Sequence, residues 1–265
     1  MSYELMFQKA VALQQNGALN EAEQLYRQIL ETSPQNADVL NLLGLIAQTR
    51  GLHSEAVGYF YRAADSAPQH FPIFFNLGVS LAASGHLLEA AEAYKKALKI
   101  KPDLKEAYFG LGNVFWQLER LPEAAESYQN ALKIDSAYSD AAVNLAELQN
   151  NKASLLELAA KNPTEARPCY YLGRREFAEK NYSEALKFLQ QADNLLEAAE
   201  IKVLLAETYL ALHQADQALP IFYQALRLNP HNVAASLHIA DLEAEKENYA
   251  EAENFYKKTL ELDNN

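Results

Sequence analysis

The histidines of this sequence are the first residues to consider as metal ligands. Its six histidines never lie three or four residues apart, the spacing that would place two of them on one face of a helix as zinc ligands. We therefore interpret them as turn and surface residues and predict no metal site. They are His53, His70, His86, His213, His231 and His238.

Cys169 is the single cysteine, which excludes an internal disulfide and leaves one thiol as a candidate nucleophile. Similar segments elsewhere in the chain carry Leu40, Phe74 or Tyr108 at the corresponding position. That register favours a buried structural thiol over a reactive one.

The stretch "FGLGNVF" supplies Gly110 and Gly112, two glycines of a dinucleotide-binding loop, but the third is missing and no strand precedes them. No phosphate-binding loop is present either. The many glutamates lie at the repeated helix starts and on solvated helix faces, which is not the pattern of a general acid–base pair. We find no catalytic residues and predict a protein without enzymatic activity and without a cofactor.

The composition of the 265-residue chain favours a helical fold. Hydrophobic residues make up 49% of it, and only 9 Gly and 9 Pro argue against disorder or a turn-rich β fold. A net charge of −12 argues against nucleic-acid binding and favours a neutral or basic partner. The N-terminus lacks the layout of a signal peptide, and no apolar run could span a bilayer. These features predict a soluble, cytoplasmic protein without membrane insertion.

The elements that position these residues follow a 34-residue repeat. The dipeptide Glu-Ala recurs every 34 residues from Glu21 to Glu123 and returns later in a shifted register. Other columns keep the same step. The glycine column is Gly44, Gly78 and Gly112; the turn column is Gly17, Gly51 and Gly85; the proline column is Pro34, Pro68 and Pro102; the aromatic column includes Tyr26, Phe60, Tyr94 and Tyr128.

Each repeat is predicted to form a helix, a turn and a second helix. In "FFNLGVSLAASGHLLEAAEAYKKALKIKP", apolar or small residues at i, i+3, i+4 and i+7 from Phe74 form one helix face. Gly85 interrupts this helix, Glu89 favours the start of the second helix, and Pro102 ends it. The absent side chain of Gly78 predicts a close approach of the two helices.

This pattern resembles the tetratricopeptide repeat (TPR) family over nearly the whole chain. The resemblance implies an all-α, right-handed superhelical solenoid of stacked helix–turn–helix units. Units one to four are expected at 3–138, a shortened and irregular fifth unit at 139–163, and units six to eight at 164–265. The step of 61 residues from Glu123 to Glu184 is seven less than two periods. Since the first helix of the fifth unit reads normally to about Gln149, we expect the contraction in its turn or second helix.

The resemblance also implies that the first helices line a concave face on which partners bind. Positions two, five, nine and twelve of these helices are expected there, apolar in units one to four and charged later. Phe75, Phe109 and Trp116 are the predicted anchors; the alternative is that position five packs against the neighbouring first helix. The predicted peptide- or protein-binding residues are Asn41, Phe75, Asn76, Phe109, Asn113, Trp116, Asn144, Tyr170 and Arg174.

Two binding modes of the family match only in part. The carboxylate clamp of chaperone-binding TPR domains resembles this sequence at Asn113, Asn144 and Arg167, but aromatic residues replace two of its basic ones. Chaperone tails are therefore not expected to bind. The asparagine ladder of TPR-bearing O-GlcNAc transferases, whose amides hold a peptide backbone, is matched at Asn76 and Asn144. Ordinary polar residues on a half-exposed helix are the alternative explanation.

The favoured function is a non-enzymatic TPR scaffold that binds a protein or peptide in its concave groove. One alternative is the substrate-recognition arm of a larger TPR-containing glycosyltransferase or methyltransferase. The other is a self-assembling structural scaffold, because the last unit runs to "LELDNN" without a polar cap. Self-association through this C-terminal repeat is expected around Leu237, Phe255 and Leu262, unless a further helix, domain or partner covers it.

Overall fold

The computed structural model describes residues 2–263, and these residues form sixteen α-helices and no strand. The all-α prediction is therefore confirmed. The chain divides into two compact units, residues 1–148 and residues 149–265. The first contains α1 Tyr3–Gln15, α2 Leu19–Thr32, α3 Ala37–Thr49, α4 His53–Ser66, α5 Phe71–Ala83, α6 Leu87–Ile100, α7 Lys105–Gln117, α8 Leu121–Ile134 and α9 Ser139–Leu148. The second contains α10 Lys152–Lys161, α11 Ala166–Ala178, α12 Tyr182–Leu195, α13 Ala199–Ala211, α14 Ala215–Leu228, α15 Val233–Glu245 and α16 Tyr249–Asp263.

In the first unit, α1 to α8 form four helical hairpins, and α9 packs against α8. The second helix of each hairpin packs against the first helix of the next, and α3, α5 and α7 also contact one another in order. The first helices thus lie side by side, which brings the same positions of successive repeats into one row.

The glycine and aromatic columns meet inside the hairpins. A Cβ on Gly78 would lie 2.8 Å from the Tyr94 ring, and a Cβ on Gly112 would lie 2.5 Å from the Tyr128 ring. Glycine is needed there because the ring packs directly on the backbone of the facing helix, as the close approach predicted at Gly78 requires. The other pairs are Gly44 with Phe60 and Gly173 with Leu189.

Each turn between paired helices contains one residue with positive φ. The first three turns use glycine, as the turn column predicts, and Gly85 has φ +78°. The later turns use other residues with φ between 51° and 62°, a conformation that disfavours a Cβ. Those residues are Glu119, Asn150, Lys180, His213 and Glu247.

The boundary between the two units falls inside the predicted fifth unit, between α9 and α10. Both helices have 10 residues, whereas the other first helices have 13 and the second helices 14 or 15. The missing seven residues are therefore three from α9 and four from α10. The turn of residues 149–151 keeps its three residues, contrary to the expected contraction in the turn or second helix alone.

In the second unit, α10 packs against α11, and α11 to α16 form three hairpins. Two polar contacts fasten α10 and its preceding turn to α11. Arg175 Nη1 donates to the main-chain oxygen and Oδ1 of Asn150 at 2.6 and 2.7 Å, and Lys152 Nζ lies 2.5 Å from the buried Glu176 carboxylate. The Lys152 ammonium, together with an Asn181 amide, lowers the pKa of Glu176 although burial opposes this.

Candidate functional site

Most of the predicted binding residues lie in one row in the first unit. They occupy positions five, six, nine and twelve of α3, α5, α7 and α9, and we call this row the first-helix face. Its members used below are Asn41, Gln48, Phe75, Asn76, Val79, Phe109, Gly110, Asn113, Trp116 and Asn144.

The two phenylalanines at position five pack on the tyrosine of their own hairpin. The ring centroids of Phe75 and Tyr94 are 6.0 Å apart, and those of Phe109 and Tyr128 are also 6.0 Å apart. Both phenylalanines remain half-buried. They therefore contribute to repeat packing and still present part of each ring to solvent.

Around α7 this packing widens into an aromatic cluster. Trp116 meets the edge of Tyr128 at a centroid distance of 6.3 Å, and Phe109 meets the edge of Tyr138 at 5.4 Å. Trp116 is half-buried as well. Because ring neighbours restrict their rotamers, Phe109 and Trp116 form a stiff, partly exposed apolar surface.

The asparagines of the face bond to one another across repeats. Asn76 Nδ2 donates to Asn41 Oδ1 at 3.1 Å, which joins α5 to α3. Gln48 Nε2 donates to the main-chain oxygen of Asn76 at 3.0 Å and to Ser80 Oγ at 2.7 Å. This amide network fixes the orientation of Asn41 and Asn76 on the face.

A second amide pair joins α7 to α9. Asn113 Oδ1 accepts from Tyr128 Oη at 2.7 Å and from Asn144 Nδ2 at 2.9 Å. Asn144 is only 7% exposed. Its side chain therefore orients Asn113, which is half-buried and lies nearer to solvent.

Sequence reasoning placed Tyr94 in the aromatic column and considered Gly110 for a dinucleotide loop, but it did not count either as a site residue. A Cβ on Gly110 would lie 2.6 Å from Tyr94 Cζ and 2.9 Å from Tyr94 Oη. The end of the tyrosine ring thus occupies the space where the ladder would place an amide. The aromatic column, followed to the first helix of the next repeat, was the signal that could have indicated this contact.

Two carboxylates border the first-helix face at position two of its helices. Asp38 and Glu106, at position two of α3 and α7, are exposed. Positions two, five, six, nine and twelve contain no Lys or Arg in any first helix of the described first unit. The local charge therefore favours a neutral or basic group over an acidic one.

Tyr170 and Arg174, the remaining predicted site residues, lie on α11 in the second unit. The ring of Tyr170 is 5.4 Å from that of Tyr171, and the Arg174 guanidinium is 5.2 Å from the Tyr171 centroid. A cavity of about 210 Å³ is lined by Tyr170 and Tyr171 but not by Arg174. Its lining residues are Ala166, Arg167, Tyr170, Tyr171, Leu196, Ala198, Glu200 and Ile201.

Cys169 and His238, which the sequence analysis considered as reactive or metal-binding residues, take part in helix packing. Cys169 is buried in α11, as predicted, and burial raises the pKa of its thiol. His238 differs from the predicted turn or surface location, since it lies within α15, stacks on Phe222 at 4.8 Å and has Nε2 3.4 Å from Glu207.

The described residues contain no group of three His, Cys, Asp or Glu side chains suited to a metal. No helix among residues 2–263 is long and apolar enough to cross a membrane.

Comparison with known families agrees with this repeat geometry. A family model described as a tetratricopeptide repeat matches residues 7–71 and 75–142, and a second model of the same description matches residues 209–265. The chain belongs to the tetratricopeptide repeat family. The two TPR models leave residues 143–208 unmatched, a segment that contains the short helix α10 and most of α9.

Individual relatives share the TPR fold at low sequence identity. Mouse tetratricopeptide repeat protein 8 is 36% identical over 97 residues, which are 36% of this chain and 18% of the mouse protein. The chain thus matches only a small part of that relative.

Among solved structures, a tetratricopeptide repeat protein from Parabacteroides merdae has a TM-score of 0.78 at 19% identity, covering 91% of this chain and 98% of its own. Yeast Tom70 has a TM-score of 0.75 at 16% identity, covering 92% of this chain and 55% of its own. A chain of the APC/C hetero-tetramer Cut9–Hcn1 has a TM-score of 0.67 at 19% identity, covering 100% of this chain and 54% of its own. At these identities the likeness shows the fold alone.

Proposed function

We propose that this TPR protein is a non-enzymatic scaffold that binds a protein or peptide in a groove formed by the first-helix face of its first unit. The observation that carries the proposal is the partial exposure of Phe75, Phe109 and Trp116 on one row of helices. Large aromatic side chains at the centre of a surface supply much of the binding energy of protein interfaces. Protein binding is also the usual role of such repeat arrays, whose stacked units create extended surfaces.

The polar residues of the face complement these anchors. Asn76 and Asn113 are half-buried, and an amide both donates and accepts hydrogen bonds. In the proposal they bond polar groups of the ligand, with Asn41 and the buried Asn144 holding them in place. Asp38 and Glu106 favour a ligand that is neutral or basic.

The test is the double change Phe109→Ala and Trp116→Ala. The probe is the tightest peptide selected from a random dodecamer library on the full chain and titrated by calorimetry. Losing two anchors of about 2 kcal/mol or more each should weaken binding at least about thirtyfold, since 1.4 kcal/mol is a factor of ten.

The matched control truncates two exposed aromatic residues on second helices, Tyr61→Ala and Tyr249→Ala. Helicity of both variants is checked by circular dichroism. Normal binding by a folded Phe109→Ala/Trp116→Ala variant would show that the groove is not the binding surface.

The recognition arm of a larger glycosyltransferase or methyltransferase is the first alternative. TPR arrays of this length do occur within longer chains, since the aligned region is 55% of Tom70. The mass of the intact protein from its natural source tests this alternative, and a catalytic domain joined to these residues would favour it.

Self-assembly is the second candidate, and the last hairpin of the second unit favours it. Leu237, Tyr249 and Leu260 are exposed there, whereas Phe255 and Leu262, also expected at this surface, are half-buried. Phe255 is covered in part by Tyr223, whose ring lies 5.7 Å away. Sedimentation as a function of concentration distinguishes an assembling chain from a monomer.

A further inference from the structure

We infer that the hydroxyl of Tyr94 is a ligand-binding group of this groove, and that it bonds a main-chain amide of an extended peptide. The inference rests on the proposed function and adds to it a residue and the chemical group that the residue recognises.

Tyr94 is the exception among the tyrosines of its column. In three other repeats the corresponding hydroxyl donates to a side chain on the first helix of its own hairpin. Tyr94 makes no hydrogen bond to any of the described residues. The three bonded pairs are Tyr26 to Gln14 at 2.9 Å, Tyr128 to Asn113 at 2.7 Å and Tyr256 to Asp241 at 2.7 Å.

The neighbouring repeat explains why Tyr94 has no partner. Tyr128 is bonded by residues at position nine of its own first helix and position six of the next, Asn113 and Asn144. At the same two positions Tyr94 faces Val79 and Gly110, whose side chains cannot form hydrogen bonds. The position that supplies Gln14 to Tyr26 holds an alanine in this repeat.

The hydroxyl nevertheless reaches the first-helix face. Tyr94 is 3% exposed, and its ring passes Gly78 on α5 and ends against Gly110 on α7. The hydroxyl is not among the fully buried atoms that lack a partner, so it keeps contact with solvent. Burial raises the pKa of Tyr94, which keeps the phenol protonated and able to donate as well as accept. Leaving such a group without a partner is unfavourable, so the hydroxyl favours a ligand amide that bonds it.

The row around Tyr94 indicates the conformation of the ligand. The Asn41–Asn76 pair lies on one side of its hydroxyl, and the Asn113–Asn144 pair lies on the other. Adjacent packed helices are about 8–10 Å apart. A peptide in the polyproline II conformation repeats every three residues, or about 9 Å. Such a peptide can present a main-chain group once per repeat, and the two carboxylates at the border of the face favour one without acidic side chains.

The experiment compares Tyr94→Phe with wild type, using a dodecamer peptide selected on the full chain and counter-selected against the Phe109→Ala/Trp116→Ala variant. Removing one hydrogen bond should weaken binding about five- to tenfold. The melting temperature should not fall, because the hydroxyl has no partner within the protein. Tyr26→Phe is the matched control and should leave binding unchanged, since its hydroxyl already bonds Gln14.

A second measurement identifies the group on the peptide. Each main-chain amide of the peptide is replaced in turn by an ester, which removes the N–H and weakens the carbonyl as an acceptor. At one peptide position, the ester should weaken binding to the wild-type protein. The same ester should change binding to Tyr94→Phe very little, because that variant already lacks the hydroxyl.

If Tyr94→Phe binds the peptide as tightly as wild type does, the inference is wrong. The proposed groove function still stands in that case if peptide binding depends on Phe109 and Trp116. A library that yields no peptide dependent on those two residues would overturn both. An ester scan in which wild type and Tyr94→Phe lose affinity equally at every position would also overturn the inference.

Discussion

At the scale of single residues, neighbouring side chains determine whether a polar group is hydrogen-bonded within the protein or remains available to a ligand. Tyr94 and Tyr128 occupy equivalent positions and pack on equivalent glycines, yet only Tyr128 is bonded internally. The difference lies in the next repeat, where Asn144 faces one ring and Gly110 the other. A repeat array can thus change a binding surface by substitutions that leave the packing of the hairpin intact.

Glu176 is expected to make the second unit sensitive to acid. Its folded pKa is lowered, chiefly by Lys152, so the carboxylate stabilises the fold above the unfolded pKa of about 4.3. That stability is lost as the pH falls through the lowered folded value. At pH 7, Glu176→Gln should therefore cost about 1–2 kcal/mol, and the gap to wild type should narrow as the pH falls from the unfolded pKa toward the lowered folded one.

Urea unfolding at a series of pH values measures this gap. Glu253→Gln is the control, because Glu253 pairs with Lys257 on an exposed helix face and should show little effect. A gap for Glu176→Gln that stays constant from neutral pH to the pH of acid unfolding would mean that its charge does not contribute.

Sequence reasoning at this scale identified residue types better than contacts. The register of Phe75, Phe109 and Trp116 predicts one row of anchors, and in the structure all three lie partly exposed in one row. The bonding of Asn144 could not be predicted, since it depends on side-chain directions from helices in two different repeats. The missing partner of Tyr94 could have been inferred from the repeat register, which places Val79 and Gly110 where Tyr128 has Asn113 and Asn144.

At the scale of the element, three hairpins of the first unit have a glycine–aromatic contact, and every hairpin has a positive-φ turn. The sequence predicted both where glycine marks them, at Gly78 and Gly85. It did not indicate the turn at Glu119, because a glutamate carries no sign of a left-handed conformation. The period alone could have done so, since Glu119 follows Gly85 by 34 residues.

Glu119→Gly is therefore expected to stabilise the first unit. A left-handed residue with a Cβ costs about 1–2 kcal/mol, and part of this gain is offset by the greater freedom of glycine when unfolded. A net gain of about 0.5–1 kcal/mol in the free energy of unfolding is expected. Gly85→Ala is the reverse control, because its Cβ would meet open space and only the backbone strain would count. Loss of stability in Glu119→Gly would contradict the argument.

At the scale of the whole molecule, the chain consists of two units where the sequence suggested eight repeats in three segments. Periodicity shows which residues repeat, but compactness depends on which helices pack together. The packing of α9 on α8 and of α10 on α11 assigns the two short helices to different units. The step of 61 residues from Glu123 to Glu184 marks 139–163 as irregular, but it does not show that the two short helices belong to different units.

Self-association through the last hairpin is the expectation that belongs to this scale. Leu237→Glu combined with Leu260→Glu places charge on the exposed apolar surface and should abolish any rise of the sedimentation coefficient with concentration. Leu88→Glu is the control, since Leu88 is similarly exposed on α6 of the first unit. A wild-type chain that sediments as a monomer at every concentration would contradict self-assembly.

The three residues missing from α9 and the four missing from α10 are each close to one helical turn of about 3.6 residues. Such a loss leaves the remaining side chains within about 60° of their original direction, whereas losing one or two residues would rotate them by about 100° or 200°. In the gene, deletions of nine or twelve nucleotides within a helix therefore preserve the apolar face, while in-frame deletions of three or six do not. In a TPR gene, the tolerance of an in-frame deletion should therefore vary periodically with its length, and it should be highest when about one whole helical turn is removed.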